Sequence, residues 1–98
     1  MNNRIPIYMI TSYEVHNGEI HSQVNWGFYY CFKNAEKAIK DCPEDFFEHC
    51  HNYIVIEELF PGLANCGRAK FYKYNSEIKN YNKIVRPEFF NNKCGFFC

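Results

Sequence analysis

Residues 7–30 read IYMITSYEVHNGEIHSQVNWGFYY, and this stretch decides the fold. From Arg4 to Val15 the chain alternates. Ile5, Ile7, Met9, Thr11, Tyr13 and Val15 fall on one side, with Tyr8, Ser12 and Glu14 on the other. Period-two alternation is the mark of a β-strand, because successive side chains leave the backbone in opposite directions. Asn17-Gly18 follows, and both residues tolerate the positive φ of a two-residue hairpin turn. The second arm predicts a strand with Ile20, Ser22, Val24, Trp26, Phe28, Tyr30 and Phe32 on a single face. The segment is a β-hairpin.

Outward from the hairpin, Asn34 reads as a helix N-cap, since its side chain can accept from free N–H groups of the first turn. Ala35, Ala38, Ile39 and Cys42 then recur at helical spacing. Pro43 stops that helix and can open a second short one, where a missing N–H costs nothing. Phe46, Phe47 and Cys50 would face the core, and Asn52 would take the left-handed position that closes the helix. Tyr53–Phe60 is a β-rich run ended by Pro61-Gly62, Ala69–Tyr74 a fourth strand and Tyr81–Val85 a fifth. The expected architecture is α+β: a mostly antiparallel sheet of four to five strands, order ββαββ(β), with a helix broken at Pro43 packed on one face.

The chain has 98 residues, the size of a single domain, read as 1–98 with an apolar tail over 87–98. A chain of this length hides roughly 65% of its unfolded surface, enough for one modest core. Eleven basic residues balance eleven acidic ones. Lys70, Lys73, Lys79, Lys83 and Arg86 lie close together but read as a solvated strand face, and nucleic acid is not an expected partner. The apolar run Ile5–Ile10 contains Pro6 and is too short for a membrane span or signal-peptide centre. A cytoplasmic protein with reduced thiols is the expectation.

Cys42, His49, Cys50 and His51, with Cys66 beyond, have zinc-ligand chemistry. Their spacing opposes it: Pro43 lies between the first two cysteines, and neighbours on a helix cannot face one ion. A helix end with two histidines and a buried thiol is the simpler reading, and no metal or cofactor is assigned. Cys94 and Cys98 have a spacing that permits a disulfide or a clip on a metal, and the simpler reading is an apolar tail with incidental thiols. No catalytic signature surrounds any cysteine, and Glu57 and Glu58, adjacent on a strand, face opposite sides.

Three stretches, IYMITSYEV, FYYCFKNAEKAIK and NYIVIEELF, resemble parts of small bacterial and phage proteins that run strand, strand, helix, strand, strand. The resemblance implies an accessory protein of a mobile element. That class includes stoichiometric inhibitors of host defence nucleases such as anti-CRISPR proteins. It carries over no functional residue.

The ten Phe and eight Tyr are the remaining signal. Trp26, Phe28, Tyr30, Phe32, Ile39, Phe46, Phe47, Ile54 and Ile56 are enough to fill the core. The surplus is Tyr8, Tyr29, Tyr72, Tyr74, Tyr81, Phe89, Phe90, Phe96 and Phe97. From it, Tyr72, Tyr74, Tyr81, Phe89, Phe90, Phe96 and Phe97 are the expected contact residues, because exposed aromatic clusters mark interaction surfaces. The expected function is non-enzymatic protein binding to a host enzyme or a second copy, with an inhibitor of a bacterial defence enzyme as the specific form. The alternative is a small-molecule or nucleotide-binding protein that stacks a ring on its aromatics.

Overall fold

The Asn17-Gly18 turn forms with both residues at positive φ, 55° and 78°, the conformation whose twist matches that of the flanking strands. It joins β1 (Ile7–His16) to β2 (Glu19–Tyr29) in this computed structural model, which describes residues 6–47, 50–60 and 66–88. Two helices follow, α1 (Phe32–Asp41) and α2 (Pro43–Phe47). Then come β3 (Tyr53–Leu59), β4 (Cys66–Asn75) and β5 (Asn80–Ile84). The strands make one sheet in the order β2-β1-β3-β4-β5, antiparallel throughout. The class is therefore α+β. Among the described residues, no helix is long and apolar enough to cross a membrane.

The helices enter between β2 and β3, and their apolar residues lie on one face of the sheet. Ala35, Ile39 and Phe46 are buried in one cluster with Ile10, Ile54, Ile56, Tyr72 and Tyr81. The opposite face holds a second cluster of Tyr13, Val15, Val55 and Phe71. β1 and β3 thus bury side chains on both faces, which accounts for the nearly unbroken apolar run of β3.

Several local expectations are corrected by tertiary packing. The N-cap is Cys31, extended at φ −133° and with no side-chain capping bond, rather than Asn34. The Phe32 ring meets Tyr8 edge-on at 6.0 Å, and that contact draws Phe32 into the first turn. Cys50, at φ 62°, takes the left-handed position expected of Asn52, and its side chain is exposed rather than in the core. Asn52 instead accepts from the Val15 N–H and donates to the Val15 carbonyl, both at 2.9 Å. Its side-chain amide thereby extends the sheet's hydrogen bonding beyond β3. Cys42 is also exposed.

The largest correction concerns β2. Thr11 pairs with Asn25 and Ile10 with Gly27, so Trp26 is an extra residue in the β2 register. A second irregularity lies at His21, between the Glu14–Ser22 and Val15–Ile20 pairs. One extra residue reverses the side-chain parity of everything beyond it. The single face expected from Ile20 to Phe32 is therefore split. Phe28 lies opposite Met9 and Tyr29 opposite Tyr8, so Phe28 sits on the face away from the helices. Gly27 accommodates the bulge at φ 108°, a conformation that glycine adopts without the steric cost of a Cβ.

Candidate functional site

The bulge leaves Trp26, Phe28, Tyr29 and Tyr30 exposed at the edge of the sheet, at 36%, 48%, 37% and 71%. Trp26, Phe28 and Tyr30 were expected inside. On the helix side, Trp26 and Tyr29 border a groove of about 300 Å³ whose other wall includes Ala38, Asp41, Cys42 and Phe46. On the far side, Phe28 and Tyr30 meet edge to face at 5.5 Å.

The expected contact residues are placed differently. Tyr72 and Tyr81 have no exposed surface and are core residues, not contact residues. Tyr72 lies on β4, an interior strand, opposite Ile54. Its hydroxyl donates to Glu36 of α1 at 2.8 Å. Tyr81 packs edge-on against Phe46 of α2 at 6.0 Å and donates to the His51 carbonyl at 2.6 Å. Tyr74 is half-buried, 5.2 Å from the Tyr81 ring. Phe89, Phe90, Phe96 and Phe97 lie outside the described residues, as do His49, Cys94 and Cys98.

Trp26 is held by a chain of polar side chains that the sequence did not advertise. Its indole N–H, which can only donate, bonds Ser12 Oγ at 2.7 Å, and its ring packs edge-on against Phe46 at 4.9 Å. Ser12 Oγ lies 2.5 Å from His51 Nδ1, and Ser22 Oγ lies 3.1 Å from His51 Nε2. Ser22 also donates to Glu14 Oε1 at 3.2 Å. With a neutral His51 ring, these contacts set the direction of the chain. A carboxylate only accepts, so Ser22 gives its single proton to Glu14 and accepts from His51 Nε2–H. Nδ1 of the neutral ring then accepts from Ser12. His16, 2.9 Å from Glu14 Oε2, pulls the Glu14 carboxyl below the usual range, with further help from the Ser22 hydroxyl. Glu14 is thus kept in the ionised form that accepts.

Serine, histidine and glutamate together suggest nucleophilic catalysis, but neither serine is placed for it. Activation requires an accessible serine whose proton points at the imidazole; the proton of Ser22 is committed to Glu14, and Ser12, which does donate to His51, is fully buried and accepts from the Trp26 indole. The chain is instead a positioning device that ties the hairpin to the turn before β3 and orients Trp26. Among the described residues no three His, Cys, Asp or Glu side chains are grouped as metal ligands. No family model, curated protein or solved structure matches the chain.

The Ser12 hydroxyl is fully buried and serves two partners, so Ser12→Ala should cost about 2 kcal/mol by leaving the indole N–H and His51 Nδ1 poorly satisfied. Urea unfolding measures the loss, and Trp26 emission reports the change at the indole. A cost within about 0.5 kcal/mol, typical of a neutral surface change, would remove the positioning role.

One feature of the sequence did signal the site. An isolated glycine inside an alternating strand, Gly27, marks a bulge, and a bulge there turns the following aromatics around. Nothing comparable marked Ser12 and His51, which lie 39 residues apart.

Proposed function

We propose that this protein is a non-enzymatic binding module whose contact surface is the β2 edge, with Trp26, Phe28, Tyr29 and Tyr30 as anchors. The carrying observation is that four aromatic side chains are exposed on and just beyond one edge strand. Large aromatics dominate binding energetics because each brings wide apolar area with few rotors to freeze. Trp26 is in addition held in place by Ser12 and Phe46, which lowers the ordering cost of contact.

The chemistry of β2 favours a protein partner. Its sequence, EIHSQVNWGFY, contains one Glu and no Lys or Arg, so it offers little to a polyanion. The irregularities at His21 and Trp26 break the regular row of edge N–H and C=O groups, which disfavours long strand addition. Side-chain contact with a neutral, partly apolar patch on another protein is the consistent mode. A phage-type inhibitor that covers a bacterial defence enzyme, as the sequence resemblance suggests, is the specific form of this reading.

Phe28→Ala/Tyr30→Ala is the discriminating variant, since both rings are exposed and their loss should leave the fold intact. Affinity capture from bacterial lysate with the unaltered and doubly substituted proteins should yield one protein retained by the first and lost by the second, with affinity lowered at least about 100-fold on purified components. Equal retention by both would overturn the assignment of the surface. Self-association lost in the same variant would make the partner a second copy instead.

A further inference from the structure

A second cleft lies under the start of α1, independent of the contact surface proposed above. It encloses about 260 Å³ and is lined by Tyr8, Phe32, Ile56, Glu58, Arg68 and Lys70. Its walls are of two kinds. Phe32, Ile56 and the Tyr8 ring are apolar, with Tyr8 and Phe32 edge to face. Glu58, Arg68 and Lys70 bring two cations against one carboxylate.

The carboxylate is already committed. Glu58 Oε2 accepts from the Tyr8 hydroxyl at 3.0 Å, while Oε1 accepts from the Arg68 backbone N–H at 3.5 Å and lies 3.9 Å from its Nε. Lys70 is not. It is half-buried, on the strand position opposite Ile56. Among the described residues its ammonium makes neither a hydrogen bond nor an ion pair. A lysine that draws its stem over apolar surface normally carries its ammonium out to water or to a carboxylate. Here the ammonium's neighbourhood is a cleft with apolar walls and an excess of positive charge. The first turn of α1, which has no acidic residue, adds its partial positive charge beside Phe32.

We propose that this cleft binds a small organic anion, its carboxylate or phosphate on Lys70 and Arg68 and its flat or aliphatic body against Phe32 and Ile56. The volume fits a single ring or short chain and is below that of the usual drug-sized site.

Backbone amide NMR titrations of the full chain test this with four probes: benzoate, phenyl phosphate, benzyl alcohol and inorganic phosphate. One or both ring-bearing anions should shift the resonances of Phe32, Ile56 and Lys70 saturably, and their relative affinity tells carboxylate from phosphate. Benzyl alcohol, which lacks the charge, and inorganic phosphate, which lacks the body, should each bind at least about tenfold more weakly. Lys70→Met should weaken the anion about tenfold, and Arg68→Gln, on a largely exposed side chain, a few-fold. The proposal fails if neither ring-bearing anion gives saturable shifts there. It fails equally if either control binds as tightly as the anions, or if Arg68→Gln and Lys70→Met both leave the affinity unchanged.

Discussion

Raising the pH from about 10 to 12 is expected to remove roughly 5 kcal/mol of folding stability through two tyrosines. Burial, first, and then the hydrogen bond to Glu36 hold the Tyr72 phenol far above the ordinary value of 10.0. Burial, with the neighbouring Tyr74, does the same for Tyr81. The neutral phenol is thus favoured by the fold, while the unfolded chain releases its proton near pH 10. Below that pH both states hold the proton and the contribution is complete. Above it the unfolded state binds fewer protons than the native one, so stability falls with pH. Each tyrosine contributes a slope of about 1.4 kcal/mol per pH unit. A small domain has about 5–15 kcal/mol in all, so a loss of this size can unfold it. Urea titrations across this range, with phenolate absorbance followed in parallel, measure the effect. The double variant Tyr72→Phe/Tyr81→Phe should lose most of the slope. An unchanged slope would assign alkaline unfolding to other groups.

Tyr81→Ala is expected to cost about 3–5 kcal/mol, the range for emptying a buried aromatic site. The ring sits between Phe46 and Tyr74 with no exposed surface, and its loss opens a cavity where α2 meets the sheet. Its hydroxyl is the donor to the His51 carbonyl, so Tyr81→Phe should cost about 1–2 kcal/mol while keeping the packing. Tyr30→Ala, by contrast, should change stability by no more than about 0.5 kcal/mol. Chemical denaturation of the three variants orders them. If Tyr81→Ala were as mild as Tyr30→Ala, Tyr81 would not be a core residue.

That pair of tyrosines shows where sequence reading stops. Tyr72 and Tyr81 look like surface aromatics because Lys70, Lys73, Asn80 and Asn82 surround them. Strand alternation gives two faces but does not say which is covered, and the cover comes from helices that end before β3 begins. Trp26, Phe28 and Tyr30 fail in the opposite sense. They alternate perfectly in sequence, yet the residue inserted at Trp26 puts Phe28 on the other face, and the edge position of β2 leaves all three rings open. The polar chain from Trp26 through Ser12 and His51 to Ser22 was equally hidden, since a hydrogen bond between distant residues leaves no periodicity behind.

What the sequence determined by itself was local. Asn17 and Gly18 specify the hairpin because few residues accept positive φ. Ala35, Ala38 and Ile39 specify a helical face because 3.6-residue periodicity is intrinsic to the chain, and the β-rich run Tyr53–Phe60 specifies a strand. Tertiary structure alone decided which aromatics are core and which are surface. That choice rests on strand order, on one inserted residue in β2 and on where the helices lie, all of them set by contacts between segments far apart in the chain.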